Sequence, residues 1–359
     1  MLSLDDTQRR PDERLDPRLW EAVDRLLDGV GDLADVRAHR LDLLKADRLR
    51  RLGRRVPAEL AAEERASALR SLAAPLLLER VRAAADGPVL VLKGPEVARW
   101  YPAPGLRSFD DVDVLAADAG RTQRALLHAG FVEVGDPRLY TDIHHLRPLH
   151  LPGFPLVVEV HERPKWVEGL PEPSAERLLA AAAPAPNGLL SLPPAEHALV
   201  LAAHAWAHRP LEQLGRLIDV AAVCQGASRA EVDGLARAWG IERLWRTTAR
   251  AVDALLHGAD PSWPLRTWAR GLRSGREQTV LENHLERVLA GFAVLPRGRA
   301  VAAAGAGLRR TLTPYPGEGW DRKAERAREA LVHALWRRSS HDRVLGGRRR
   351  GDSDRDGGP

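Results

Sequence analysis

The stretch SFDDVDVLAAD, residues 108–118, places three aspartates in four positions and follows them at once with apolar residues. Side chains alternate between the two faces of a strand, so Asp111 and Asp113 share one face while Val112 and Val114 share the other. The pattern therefore predicts a strand with one core face and one acidic face. Two carboxylates roughly 5–7 Å apart on one face repel each other unless a proton or a cation lies between them.

A second acidic strand is predicted at LVVEVHE, residues 156–162. Glu159 and His161 share one face of this strand, and the valines on either side of Glu159 share the other. If this strand pairs with DVDVL, Glu159 joins Asp111 and Asp113 to make three carboxylates. Such a group can hold two magnesium ions about 3.5–4 Å apart, which is an arrangement used for in-line phosphoryl or nucleotidyl transfer.

The segment before the acidic strand supplies candidate phosphate contacts. VLVLKG ends a predicted strand at Lys93 and Gly94, directly before a short helix. Backbone N–H groups at a strand–glycine–helix junction can approach phosphate oxygens, and Lys93 would add a positive charge there. Arg107 precedes the acidic strand and could contact a phosphate tail or another part of the substrate.

Hydrophobic periodicity and chain breakers predict five segments. We expect a disordered N-terminus over residues 1–16, helices over 17–86, a core with a small mixed sheet over 87–165, a helical region over 166–338 and a disordered basic tail over 339–359. Within 17–86, Pro75 should kink or split the helix that begins after Pro57. The order of strands and helices in 87–165 predicts an α+β fold.

Composition limits the classes of protein that the chain can belong to. The 359 residues are 44% apolar, which is enough for a hydrophobic core, and the single cysteine, Cys224, excludes an internal disulfide and a cysteine-rich zinc site. The net charge is +5, and seven arginines and four aspartates from Arg337 onward contribute +3 of it. No apolar run reaches the ~18 residues of a membrane span, and no signal peptide is recognised. We expect a cytoplasmic protein with no membrane partner.

Histidines give weaker candidates for the site. His161 could hydrogen-bond Glu159, and His145, with His144 beside it, opens a predicted strand and could line a pocket. His204 and His208 share a helix face and could bind zinc, but the H-E-x-x-H pattern is absent. We interpret that pair as packing or pocket-wall residues.

On the next predicted helix, GRLIDVAAVCQ, Arg216 and Asp219 stand three residues apart. This spacing brings two side chains together on the surface of a helix. We interpret the two residues as a helix-surface ion pair rather than as substrate contacts.

Taken together, LKG, YPAPGLRSFDDVDVL, HHLRPL and VVEVH resemble a family of uncharacterised bacterial nucleotidyltransferases of the polymerase-beta-like superfamily. The resemblance covers residues 75–225, under half of the chain. The Gly-Ser usual in the first turn of the superfamily is replaced here by Lys-Gly, as is the habit of this branch.

The resemblance implies that Asp111 and Asp113 bind the metals, that Glu159 is the third carboxylate, and that Lys93 and Gly94 lie near the nucleotide phosphates. It implies Mg²⁺ or Mn²⁺ as cofactor and a nucleoside triphosphate, with ATP expected, as donor. A nucleoside monophosphate would pass to a hydroxyl-bearing acceptor and pyrophosphate would leave. The acceptor stays open: it could be a small molecule, a peptide, a protein side chain or an RNA end.

One alternative keeps the fold without the catalysis. The chain could be an inactive module that binds a nucleotide or a nucleic acid, and the arginines of residues 46–55 and the basic tail would suit nucleic acid. The motifs of a protein kinase catalytic loop and of a G-x-S-x-G hydrolase are absent. Metal-dependent turnover of nucleotide separates the two hypotheses.

Overall fold

The computed structural model describes residues 16–30, 32–140, 143–185, 187–207, 213–268, 289–314, 319–325 and 327–328. The chain divides into two compact units, residues 1–268 and 269–359. The predicted tail over 339–359, the last residues of the helical region predicted over 166–338, and residues 1–15 of the predicted disordered N-terminus lie outside the described residues.

The N-terminal segment is helical, as its periodicity predicted. Asp16 caps the first helix by accepting a hydrogen bond from the backbone N–H of Arg18 at 2.9 Å. The four helices are α1 (Pro17–Asp28), α2 (Leu33–Ala38), α3 (Asp42–Arg51) and α4 (Ala58–Ala84). Helix α4 is not split at Pro75. The proline removes one backbone donor from a long helix that packs on the sheet through Leu77 and Val81, both fully buried.

A mixed sheet forms the centre of the first unit, and its strands lie in the order β3-β4-β5-β2-β1-β7-β6. The strands are β1 (Val89–Val91), β2 (Asp111–Ala116), β3 (Val132–Glu133), β4 (Leu149–His150), β5 (Val157–His161), β6 (Ala183–Pro184) and β7 (Leu190–Ser191). The alternation and breakers of the sequence predict strands at VLVLK, DVDVL, FVEV and PLVVEVH, and these segments form β1, β2, β3 and β5. The sequence also predicts a strand at HHLRPLHL, residues 144–151, but of it only β4 and an isolated bridge between His145 and His161 form.

Strands β2 and β5 are parallel neighbours, as the hypothesis of a shared acidic face required. Asp113 lies opposite Glu159, and Leu115 lies opposite His161. Because partners in a parallel pair point to the same face, Asp111 and Asp113 share their face with Glu159 and His161. The other face carries valines that are buried in the core under α4 and α6: Val112, Val114, Val158 and Val160.

Helices surround the sheet and continue to the end of the first unit. They are α5 (Pro95–Ala98), α6 (Ala119–His128), α7 (Ala175–Ala181), α8 (Pro194–Ala207), α9 (Gly215–Cys224), α10 (Arg229–Ala238), α11 (Glu242–Leu256) and α12 (Trp263–Trp268). Buried His197 of α8 donates from Nε2 to the carbonyl oxygen of Leu92 at 2.7 Å, which ties α8 to the end of β1. In the second unit, α13 spans Arg297–Leu312. Within the described residues, every helix is too short or too polar to cross a bilayer.

Candidate active site

Asp113 lies at the centre of the acidic face and is almost completely buried, with 1% of its surface exposed. His161 Nε2 donates to its Oδ1 at 2.8 Å, and Lys93 Nζ lies 2.9 Å from its Oδ2. Burial opposes ionisation of this carboxyl, but Lys93 and His161 together hold its pKa well below the ordinary value. Asp113 is therefore an ionised carboxylate fixed at both oxygens.

Glu159 reaches the same point from the neighbouring strand. One carboxylate oxygen each from Asp113 and Glu159 and one ring nitrogen of His161 all lie within 4.8 Å of one another. Glu159 Oε2 is 3.8 Å from His161 Nε2 and 3.7 Å from His145 Nε2. The structure thus brings Glu159 and Asp113 together as the strand pairing predicted.

Asp111 is the first residue of β2, two positions before Asp113, and its carboxylate is not a member of this group of converging ligand atoms. Its side chain is half-buried and lines a cleft next to Lys93. Burial and then the charge of Asp113 raise its pKa. Among the described residues, the closest trio is therefore Asp113, Glu159 and His161, whereas the sequence had predicted Asp111 in place of the histidine.

The charge of the site fits a divalent cation. Burial, together with the charges of Asp113 and Asp111, raises the pKa of Glu159 to about 8. Burial and the neighbouring carboxylates oppose ionisation of both Asp111 and Glu159, and a bound divalent cation would favour their ionised forms. Two converging carboxylates with an imidazole beside them offer ligands that divalent cations accept. Asp113 and Glu159 are thus the carboxylates that would hold such an ion, and His161 lies beside them as the donor to Asp113.

Three histidine rings pack beside Glu159. The ring centroids of His144, His145 and His161 lie 4.8–5.3 Å apart. Burial lowers the pKa of His144 to about 3 and also lowers that of His145. His145 donates from Nδ1 to the carbonyl oxygen of Leu146 at 2.7 Å, which leaves its Nε2 facing Glu159. His144 and His145 are therefore neutral near pH 7. Together with the His161 ring they form one wall of the acidic site.

Gly94 is required by the packing of the Lys-Gly turn on β2. Its φ is +68°, and a Cβ at this position would lie 2.9 Å from the carbonyl oxygen of Asp111. Only glycine adopts this conformation without strain and allows the close approach. The turn thereby sets Lys93 against Asp113. The proximity of Gly94 to phosphate remains a prediction.

Arg107 donates hydrogen bonds to Asp219 and to the backbone of Gly94. Its Nε and Nη2 donate to the two carboxylate oxygens of Asp219 at 2.8 and 3.0 Å, and its Nη1 donates to the carbonyl oxygen of Gly94 at 3.2 Å. Tyr101 donates its hydroxyl proton to Asp219 at 2.8 Å. The prediction that Asp219 lies on the helix surface in a pair with Arg216 is therefore wrong, because Asp219 is largely buried and pairs with Arg107. Asp219 faces the interior because α9 packs on the segment that carries Arg107.

A polar cleft of about 100 Å³ opens beside Asp111. Four cationic side chains line it: Arg40, Lys93, Arg107 and Arg216. Sequence reasoning selected Lys93 and Arg107, because they flank the acidic strand. It missed Arg40, since no local pattern connects that residue to β2. His204 also lines the cleft, and His208, its predicted partner, lies outside the described residues.

Lys165 is a further residue that sequence reasoning missed. Burial, followed by the positive charges of Lys93 and Arg216, lowers its pKa to about 8, while Glu159 and Asp113 act in the opposite direction. The side chain is therefore within electrostatic range of the acidic cluster. One signal was available in the sequence: Lys165 is one of only four lysines in the chain.

Comparison with known proteins gives one match. The model of a family described as an uncharacterised nucleotidyltransferase matches residues 33–257, which include every residue of the site described above. No curated protein and no solved structure matches the chain significantly. Since the family model covers more than half of the 359 residues and spans the whole acidic sheet face, the chain belongs to this family of uncharacterised nucleotidyltransferases.

Proposed function

We propose that the protein transfers a nucleoside monophosphate from a nucleoside triphosphate to a hydroxyl-bearing acceptor, with ATP as donor and Mg²⁺ or Mn²⁺ as cofactor. The observation that carries the proposal is the convergence of Asp113, Glu159 and His161 within 4.8 Å on one face of the sheet. Membership of a nucleotidyltransferase family supports the reaction class.

Asp113 and Glu159 are the carboxylates that would hold the cation, and His161 keeps Asp113 in position through its 2.8 Å hydrogen bond. A bound divalent cation would polarise the α-phosphate and lower the pKa of the acceptor hydroxyl. Asp111 extends the same acidic face toward the cleft. In this proposal all three carboxylates are needed, as the family resemblance implies.

The remaining residues bind and orient the substrates. Lys93 Nζ lies 2.9 Å from Asp113. When the nucleotide binds, this ammonium group would move from Asp113 to contact the phosphates. The acceptor hydroxyl would lose its proton to solvent as its oxygen bonds to the α-phosphorus. The bond from the α-phosphorus to the oxygen that bridges the α- and β-phosphates would break, and pyrophosphate would leave with that oxygen. Such chemistry depends mainly on positioning and electrostatic stabilisation. Residues 87–165 would form this catalytic core, and the helices on both sides would shape the acceptor site.

One contact favours a second candidate function, an inactive module that binds a nucleotide or a nucleic acid. The ion pair between Lys93 and Asp113 neutralises a central carboxylate without any metal. In a module of this kind the pair would be permanent, and the acidic face would be structural. The test below separates the two candidates.

The test is release of pyrophosphate from ATP and the other nucleoside triphosphates with Mg²⁺ or Mn²⁺, in the presence of cell extract as a source of acceptor. The double variant Asp111→Asn/Asp113→Asn should lose release by at least a hundredfold, as expected when metal and electrostatic contributions are removed. The matched control is Asp110→Asn, because Asp110 is exposed in the loop before β2 and pairs with Arg70 at 3.1 Å.

Equal release by the double variant and the wild type would exclude the proposed reaction. An inactive module would instead show salt-sensitive affinity for nucleic acid that survives the double substitution. The same extract with radiolabelled triphosphates identifies the acceptor class, since the label would appear on a small molecule, a peptide, a protein or RNA.

A further inference from the structure

The turn between α2 and α3 holds its backbone in an unusual conformation. Arg40 has a φ of +55° and is the one non-glycine residue with positive φ among those that the structure describes. A side chain at such a φ is strained, and strained residues persist where the surrounding structure fixes them, often at functional sites. The position of Arg40 therefore calls for a physical reason.

The turn is fixed to the start of α9 by its neighbour, His39. The carbonyl oxygen of His39 accepts from the N–H of Gly215 at 3.0 Å, and its Nδ1 accepts from the N–H of Leu214 at 3.2 Å. Burial lowers the pKa of His39 to about 4, so the ring is neutral and Nδ1 can accept. A Cβ on Gly215 would lie 2.9 Å from the His39 oxygen. The turn is thus locked against α9.

This anchoring places Arg40 at the wall of the polar cleft beside Asp111. Arg107, on the same cleft, already donates to both carboxylate oxygens of Asp219. Within the part of the chain that the structure describes, no carboxylate forms an ion pair with Arg40. Its positive charge lowers the pKa of Asp111 and so offsets part of the rise that burial causes. Arg40 therefore places a guanidinium at the cleft that forms no ion pair with a carboxylate of the described residues.

We propose that Arg40, together with Arg216 on the same cleft, binds the β- and γ-phosphates of the donor nucleotide and then the leaving pyrophosphate. The inference rests on the proposed function and adds the substrate group that the cleft takes. Two guanidiniums match a polyphosphate because each can donate two hydrogen bonds to its oxygens. The cleft adjoins Asp111 and Lys93, so a nucleotide with its α-phosphate at the acidic cluster would extend its polyphosphate toward Arg40.

The test is calorimetric binding of ATP, AMP and inorganic pyrophosphate to the full-length protein with Mg²⁺. The variant Arg40→Gly removes the guanidinium and suits the left-handed backbone, so its Tm should equal or exceed that of the wild type. We expect its affinity for ATP and pyrophosphate to fall roughly tenfold or more, as for loss of a charge-assisted contact, with little change for AMP. Arg37→Ala, an exposed arginine of α2, is the matched control.

The proposal is overturned if Arg40→Gly binds ATP and pyrophosphate as the wild type does, or if the wild type binds neither. It is also overturned if Arg40→Gly keeps the wild-type affinity for ATP but has a higher KM for the acceptor, because the cleft would then bind an anionic acceptor. If the wild type releases no pyrophosphate while Arg40→Gly still loses polyphosphate affinity, the binding inference holds and the transfer reaction fails.

Discussion

At the scale of single residues, alternation along a strand was a sound guide. It put Asp111 and Asp113 on one face and Glu159 on the matching face of a second strand, and the register of β2 and β5 joins Asp113 to Glu159. The contact of Lys93 with Asp113 could not be predicted. It depends on the antiparallel register of β1 and β2, which no local pattern specifies.

The first prediction concerns Gly94. Replacement by alanine places a Cβ 2.9 Å from the Asp111 carbonyl oxygen at a φ of +68°. We expect a loss of about 1–3 kcal/mol in the free energy of unfolding, from strain and displacement of the turn. Denaturant unfolding measures it. The control is Gly87→Ala, where a Cβ would meet no atom within 4 Å. Equal stability of the two variants would contradict the packing argument.

The second prediction concerns the pH dependence of metal binding. The pKa of Glu159 is raised to about 8, so below pH 8 a proton competes with the cation for this carboxylate. The apparent affinity for Mn²⁺ should therefore rise with pH by up to about tenfold per unit and level off near pH 8. Titration of the Mn²⁺ electron paramagnetic resonance signal measures it. In Glu159→Gln this rise should disappear; an unchanged profile would remove Glu159 from the site.

At the scale of elements, the strands with clear patterns were predictable and the contacts between distant elements were not. Strands β6 and β7 lie in a region predicted to be helical, because two residues are too few to show alternation. The pairing of Arg107 with Asp219 joins residues 112 positions apart. Helical spacing suggested Arg216 as the partner of Asp219, because a sequence pattern indicates only pairs of residues that are close along the chain.

The third prediction tests this pairing between α9 and the segment before β2. Asp219→Ala leaves the buried guanidinium of Arg107 without its carboxylate, which should destabilise the protein by about 3–5 kcal/mol. Pyrophosphate release should fall as well, since Arg107 also holds Gly94. Arg246→Ala breaks the exposed pair with Glu242, 3.8 Å apart, and should cost under ~1 kcal/mol. Similar thermal stabilities for the two variants would contradict a structural role for Asp219.

At the scale of the whole molecule, the acidic face, the cleft and the family match all lie in the first compact unit, residues 1–268. The sequence predicted an α+β core between helical segments, and the structure confirms that architecture. The limit at Trp268 could not be predicted, because helical patterns continue on both sides of it and domain division depends on tertiary contacts.

The fourth prediction concerns that limit. A chain ending at Trp268 should keep the affinity of the full protein for Mn²⁺ and ATP to within about threefold, since independent sites and units contribute nearly additively. Calorimetry on both proteins measures it. A truncated chain that folds but loses nucleotide affinity would show that residues 269–359 contribute to the site.

The central claim is that Asp113 and Glu159 together hold a divalent cation. Anomalous diffraction from crystals grown with Mn²⁺ tests it most directly. We predict an anomalous density peak for a Mn²⁺ ion that is coordinated by one carboxylate oxygen of each residue. Lys93 Nζ should have moved away from its 2.9 Å contact with Asp113. A saturating Mn²⁺ concentration that gives no peak at these oxygens, with the lysine still paired to Asp113, would contradict the claim.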